Sequence, residues 1–155
     1  ASDTSPTLDT LLHTLETVKD KFDAVITLQP TSPFRTEIDI NQAINLFETN
    51  IGADSLVSVQ KIPHNMQPYS AMFLNEEGYL QNFLNQDKQI LRRQDKEHFF
   101  ARNGASIYIS KVKNLHKGIL SGNILPFEMS EDKSLDIDNF RDLEKAGKFF
   151  SNESK

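Results

Sequence analysis

Ala24-Val25-Ile26-Thr27-Leu28-Gln29-Pro30-Thr31-Ser32-Pro33-Phe34-Arg35 reads as a strand that runs into a stiff loop. Residues 24–28 are nearly all apolar, as in a strand covered on both faces of a parallel sheet. Pro30 and Pro33 then remove backbone donors and end the strand in an exposed turn. Upstream, Leu8, Leu11, Leu12, Leu15 and Val18 fall on one face of a helix. Ser5 is placed to cap it and Pro6 suits its first position. Downstream, the spacing predicts a helix over 37–49 with Ile40, Ala43, Ile44 and Phe47 inward, then a strand over 55–60 with Leu56, Val57 and Val59. Alternating helix and strand predict an α/β domain with a mainly parallel sheet and helices outside it.

The middle of the chain breaks this alternation. Lys61 to Ser70 carries Pro63 and Pro68 and reads as loop. Ala71 to Leu84 reads as a hairpin with Gly78 near its turn. Residues 85–102 are polar and rich in Arg, Lys and Gln. Ser106-Ile107-Tyr108-Ile109 is a strand candidate, Lys111 to Lys117 a short helix stopped by Gly118, and Ile124 to Met129 an extended segment. A last helix begins near Asn139, with Phe140, Leu143, Ala146 and Phe150 on one side. The expected organisation is one domain over 1–150, an insertion over 61–102 and a polar tail over 151–155. The chain starts Ala-Ser-Asp-Thr and enters a helix almost at once, which reads as the middle of a longer protein.

Composition narrows the function. The net charge is −5 with no basic block, which argues against nucleic acid or an anionic membrane surface as partner. No apolar run approaches a bilayer span and no signal peptide is visible, so a cytoplasmic setting is expected. The absence of Cys removes disulfides, thiolate metal sites and Cys nucleophiles. His13, His64, His98 and His116 lack the spacing of a zinc site.

Candidate chemistry concentrates in a few places. Ligands of open α/β sheets bind beyond the carboxyl ends of strands, where residues 29–35 would lie. There Gln29 offers donor and acceptor, Thr31 and Ser32 add hydroxyls, and Arg35 adds a cation; alternatively the segment is a rigid turn whose Arg pairs with an acid on the next helix. In Ser134-Leu135-Asp136-Ile137-Asp138, extended backbone would turn Asp136 and Asp138 to one side and Leu135 and Ile137 to the other. Two such carboxylates suit a hard cation such as Mg²⁺, which often takes one or two carboxylates plus substrate phosphates. The alternative is that Asp138 or Asn139 only caps the last helix. Arg92-Arg93-Gln94 could grip a carboxylate or phosphate, or be a solvated basic run. Asn103-Gly104 could be a turn or a close approach to a ligand. Tyr108 reads as core.

Taken in order, A-S-D-T-S at 1–5, L-Q-P-T-S-P-F-R at 28–35, A-D-S-L-V-S-V at 53–59, R-R-Q at 92–94, N-G-A-S-I-Y-I at 103–109 and S-L-D-I-D at 134–138 resemble the acylneuraminate cytidylyltransferases, the CMP-sialic acid and CMP-nonulosonic acid synthetases. The resemblance spans about 1–146. It implies a Rossmann-like nucleotidyltransferase fold and a homodimer, with 61–102 as the dimerisation insertion. It implies CTP and a nine-carbon α-keto acid sugar as substrates, with transfer of CMP to the anomeric hydroxyl and release of pyrophosphate. Asp136 and Asp138 would hold Mg²⁺; Gln29, Arg93, Asn103 and Tyr108 would line the sugar pocket; Thr7 would lie near the nucleotide. The family's N-terminal strand and glycine- and basic-rich nucleotide loop have no counterpart in these residues, so a fragment inactive alone is expected. The stretch 63–70 resembles relatives acting on legionaminic acid or other bacterial nonulosonic acids. A Kdo or pseudaminic acid synthetase, or a non-catalytic domain keeping the fold, are the other readings.

Overall fold

The computed structural model describes residues 6–18, 20–84, 99–104 and 106–153. Contacts divide the chain into two units, one from residues up to Val59 together with those from Arg102 onward, the other Gln60–Ala101.

In the first unit, helix α1 (Thr7–Val18) leads into strand β1 (Ala24–Thr27), helix α2 (Glu37–Thr49) and strand β2 (Ser55–Lys61). After the second unit come β6 (Tyr108–Lys111), a 3₁₀ turn at Val112–Lys117, β7 (Ile124–Glu128) and α3 (Phe140–Glu153). Gly118 ends the 3₁₀ turn with φ 124°. The tail expected to begin at 151 is still helical backbone through Glu153.

The sheet departs from the expected mainly parallel order. β6 lies between β1 and β2 and is antiparallel to both, whereas β7 runs parallel to β2. β1 and β2 therefore share a direction, joined through α2 as in a crossover unit, but the slot between them is filled by β6. The chain leaves the sheet at the end of β2 and comes back at that same end: Asn103 and Ile107 both bond to Ser58. A strand entering there must run backwards. Helix–strand alternation carries no information about where a later segment returns.

The core gathers Leu56, Ile107, Ile109, Ala43, Phe47, Ala53, Phe127 and Met129. Residues 55–59 of β2 are all buried, as expected of a strand with neighbours on both edges and cover on both faces. Of the inward set expected on α2, Ala43 and Phe47 are buried while Ile40 and Ile44 pack partly against the core. Several buried positions carry serine, and these hydroxyls pin loops: Ser55 Oγ donates to Ser121 O at 3.0 Å and Ser110 Oγ to Ile119 O at 2.6 Å.

The second unit contains the hairpin read from the sequence, β3 (Met72–Leu74) paired antiparallel with β4 (Leu80–Asn82). Its turn is closed by Gly78 N–H to Asn75 O at 3.0 Å and by Tyr79 N–H to the Asn75 side chain at 2.7 Å. Gly78 has φ 85°, a conformation that favours a residue without Cβ. Past residues 85–98 the strand β5 (Phe100–Arg102) appears, which the polar composition of 85–102 concealed.

α2 starts with a capping box. The Thr36 side chain caps the Asp39 backbone, and the Asp39 carboxylate accepts from Thr36 N at 2.9 Å. Lys133 Nζ reaches the same carboxylate at 2.8 Å and ties the helix start to the segment leading into Asp136. Burial pushes the Asp39 carboxyl up, but hydrogen bonds from Lys133 and Thr36 outweigh it and hold the group below its ordinary value. A depressed carboxyl adds stability that is present above the unfolded value of about 4 and is lost as pH falls through the folded value. Asp39→Asn is therefore expected to lower stability at neutral pH, with the gap to wild type closing below about pH 4. Denaturant melts across pH check this; a gap that stays constant into acid refutes it.

Candidate active site

The loop after β1 folds back on itself. Ser32 N–H donates to Gln29 O at 3.4 Å, and Arg35 Nη1 donates to Gln29 O at 3.2 Å and to Ser106 O at 2.6 Å. Arg35 thus clamps the loop to the approach of β6. The alternative reading, an Arg paired with an acid on the next helix, is not what forms: among the described residues Arg35 makes no ion pair with Glu37, Asp39 or Glu48, and Asp39 belongs to Lys133 and Thr36. Burial holds the Arg35 guanidinium below its ordinary value. A half-buried cation bonded, among the described residues, to neutral carbonyls alone is a costly arrangement, and it fixes the positions of both backbones it joins.

A second tie brings in the acidic segment. Ile137 N–H donates to Thr31 O at 2.9 Å. The proline-flanked loop and Asp136-Ile137-Asp138 are therefore neighbours, although about a hundred residues separate them in sequence. Lys133 and Asp39 fasten the same two regions from the helix side.

The third segment is 103–108. Gly104 has φ 66°, and a Cβ built there would run into the Asp136 carboxylate. The carboxylate lies on the bare backbone of Gly104. Asp136 Oδ1 is out of solvent and has no hydrogen-bond partner among the described residues. A buried carboxylate oxygen without a donor costs free energy unless a cation or proton satisfies it. Tyr108 Oη donates to Gly104 O at 3.0 Å and steadies that backbone.

Asp138 is exposed. The cap of α3 is taken by its neighbour: Asn139 Oδ1 accepts from Arg141 N at 3.0 Å and from Asp142 N at 3.2 Å. The capping alternative therefore leaves the Asp138 carboxylate unused. Leu135 and Ile137 are half-buried, as is Asp136, so the clean alternation of an extended strand is not kept. Among the described residues no group of three or more His, Cys, Asp or Glu could hold a metal ion. The orphan oxygen of Asp136 is the kind of donor that suits a hard cation such as Mg²⁺, which commonly takes one or two carboxylates with phosphates and water.

Asn103 is only 3% exposed, and its amide is spent inside the fold. Oδ1 accepts from Ser58 Oγ at 2.7 Å, and Nδ2 donates to Ser134 Oγ at 3.0 Å and lies 3.4 Å from Met129 Sδ. Gln29 is half-buried beside the loop that Arg35 holds. The structure therefore brings Gln29, Asn103, Tyr108 and Asp136 into one connected set. Thr7 sits exposed in the first turn of α1, with no bond to that set among the described residues, and Arg93 and Ser5 lie outside the described residues. Ser58 and Ser134 were not singled out from the sequence. A serine in the middle of an otherwise apolar strand was the available signal.

The described residues also line cavities elsewhere. One of about 620 Å³, lined by Leu15, Lys21, Phe22, Lys111 and Lys113, lies where β1 begins. Open α/β sheets bind ligands where strands end.

An α/β fold with a strand-end loop and two acidic side chains is the frame of many nucleotide-handling enzymes. No family model matches the chain. It is 28% identical over 147 residues to the N-acylneuraminate cytidylyltransferase of Escherichia coli, covering 94% of this chain and 34% of that protein. It is 32% identical over 145 residues to the CMP-N,N'-diacetyllegionaminic acid synthase of Legionella pneumophila, covering 89% of this chain and 60% of that protein. The chain thus spans between a third and three fifths of the length of these relatives. Among solved structures, CMP-2-keto-3-deoxy-manno-octonic acid synthetase in complex with CTP shares the fold, with TM-score 0.63 and 16% identity over 97% of this chain and 70% of that one. The sequence motifs and the two relatives point to the same family, the acylneuraminate cytidylyltransferases, which are nucleotidyltransferases.

The contact with Asp136 gives Gly104 a measurable role. Gly104→Ala is expected to cost roughly 1–2 kcal/mol from the left-handed backbone alone, and more from displacing the carboxylate. Gly52→Ala, where a Cβ meets nothing within 4 Å, is expected to stay within about 0.5 kcal/mol. Urea melts of the two variants check the difference; equal stabilities refute the contact.

Proposed function

We propose that the protein carrying this chain transfers CMP from CTP to the anomeric hydroxyl of a nonulosonic acid and releases pyrophosphate. The observation that carries the proposal is Asp136, half-buried against Gly104 with an oxygen unpartnered among the described residues, on a segment bonded to the loop that bears Gln29. Bound by Asp136, Asp138 and the substrate phosphates, Mg²⁺ would neutralise charge and make the attacking hydroxyl more acidic.

The chain's own residues do the rest by placement. Both substrates are anions, so the reacting atoms must be held close against repulsion. Gln29 has the donor and acceptor needed to orient sugar hydroxyls. Arg93, by its match to the family motif, is assigned to the sugar carboxylate and Thr7 to the neighbourhood of the nucleotide. Tyr108 acts on the same pocket from behind, through the Gly104 carbonyl it bonds. The legionaminic acid synthase is the more identical of the two curated relatives, which favours a legionaminic-type sugar over sialic acid. The fold likeness to a synthetase for an eight-carbon keto acid keeps Kdo as the second reading.

A homodimer in the cytoplasm belongs to the same proposal. Support comes from the hairpin: Met72, Phe73, Leu74, Leu80 and Phe83 are each between 46% and 67% exposed. A two-stranded hairpin is marginal alone, and an apolar one calls for a partner surface. Among the described residues no helix is long and apolar enough to cross a membrane.

Pyrophosphate release by the full-length protein, with CTP and a panel of α-keto acid sugars, tests the reaction. Asp138→Ala is expected to lower turnover by about 10²-fold or more while leaving the melting temperature nearly unchanged, since its carboxylate is exposed and holds nothing among the described residues. Wild-type turnover in that variant would remove Asp138 from the mechanism. Leu74→Glu is expected to shift the mass measured by light scattering from dimer to monomer; an unchanged mass would place the dimer contact elsewhere.

A further inference from the structure

We infer that Asn103 does not contact the sugar but is a positioning residue that sets the register of the segment bearing Asp136 and Asp138. The inference rests on the cytidylyltransferase reading for its reaction, and on hydrogen bonds for its geometry.

The orientation of the Asn103 amide is forced by its two serine partners. Ser58 Oγ accepts from Ile107 N–H at 2.9 Å, so its single proton is left for Asn103 Oδ1. Ser134 Oγ donates to Ser130 O at 2.8 Å, so it accepts from Asn103 Nδ2. The second Nδ2 proton faces Met129 Sδ. Both amide protons are committed, and the residue is buried, so the side chain has no donor to offer a sugar hydroxyl.

What the network holds is next to the acids. Ser134 lies two residues before Asp136, and Gly104 directly follows Asn103. One strand of backbone therefore meets the other at two adjacent points: Asn103 on Ser134, and Gly104 under Asp136. A slip of one residue would bring Leu135 or Ile137 onto Gly104 and leave a buried amide unpaired, which is unfavourable. The buried network thus specifies one register, and with it the depth at which Asp136 presents its oxygens. Groups that orient metal ligands in this way change metal affinity without touching the ion.

The test is metal titration of the full-length protein carrying Ser134→Ala, with Asn103→Asp as the second variant. Ser134→Ala deletes the acceptor; Asn103→Asp deletes the donor and keeps the bond from Ser58. In each, Mn²⁺ binding in the presence of CTP, followed by electron paramagnetic resonance, is expected to weaken about tenfold, and the Mg²⁺ concentration for half-maximal turnover to rise by a similar factor. The KM for the sugar is expected to stay within about twofold of wild type. A raised sugar KM with metal binding unchanged would make Asn103 a substrate contact and overturn the inference. A lower melting temperature with neither constant moved would reduce the network to a structural one and overturn it equally. If the wild type binds Mn²⁺ yet releases no pyrophosphate with any sugar, the cytidylyltransferase reading falls, and the Mn²⁺ shift still decides the role of Asn103. A wild type that binds no Mn²⁺ overturns the inference outright.

Discussion

The carboxylate of Asp136 occupies space that any side chain at position 104 would fill. The arrangement around it follows from that contact. Gly104 must keep a left-handed backbone, so the turn before β6 needs support, and Tyr108 gives it through the Gly104 carbonyl. The acidic segment must come close enough for its carboxylate to lie on backbone, so it is drawn in by Ile137 to the loop after β1 and by Lys133 to the start of α2. None of these bonds is strong alone, each contributing on the order of 1 kcal/mol. Together they leave three segments, remote in sequence, with little freedom relative to one another.

Small polar residues make this closeness possible. A serine or asparagine in the core costs apolar burial but gives direction, because a buried donor or acceptor must find its partner. Ser58, Asn103 and Ser134 form such a chain beneath the site. Arg35 does the same with two carbonyls, gripping the ends of the loop and of the approach to β6. Hydrophobic packing around Leu56 and Ile107 supplies the bulk of the stability but little register information, since apolar contacts tolerate sliding.

Features carried by local pattern were legible before folding. The helix over 37–49, the strand through Leu56 to Val59, the turn at Gly78 and the stop at Gly118 all follow from periodicity or from glycine, and all appear. The closeness of 28–35 and 134–138 came from a family resemblance, and Ile137 bonded to Thr31 gives it a physical basis. What escaped depended on return paths and on pairing. β6 carries an ordinary strand pattern, and nothing in Ile107 to Ile109 says it enters from the far end of β2. Arg35 next to a helix bearing Asp39 suggested an ion pair, but Lys133 from a distant turn took the acid. Asn103 beside a glycine suggests a turn or a close approach to a ligand, and its buried role stays hidden because partners such as Ser58 and Ser134 are invisible until the chain is folded.

The molecule contains its own comparison for Asp136. At the opposite end of β2, Gly122 also has φ 66°, and a Cβ there would run into Asp54. The two glycine–carboxylate contacts are close geometric copies, yet their satisfaction differs. Asp54 accepts from Asn123 N–H at 3.0 Å and from Asn114 Nδ2 at 2.9 Å. The hydrogen bond from Asn123, opposed by burial and aided by Asn114, Lys111 and Lys113, holds its carboxyl below the ordinary value. That is an acid completed by the protein, and it closes the loop between β6 and β7. Asp136 has the same bare backbone beneath it but an oxygen without a hydrogen-bond partner among the described residues. A fold able to satisfy one carboxylate on glycine could satisfy the other with a single asparagine. Under the proposed function, the open oxygen of Asp136 is where a ligand's charge would enter, and the satisfied carboxylate of Asp54 shows what the same geometry looks like when its role is structural.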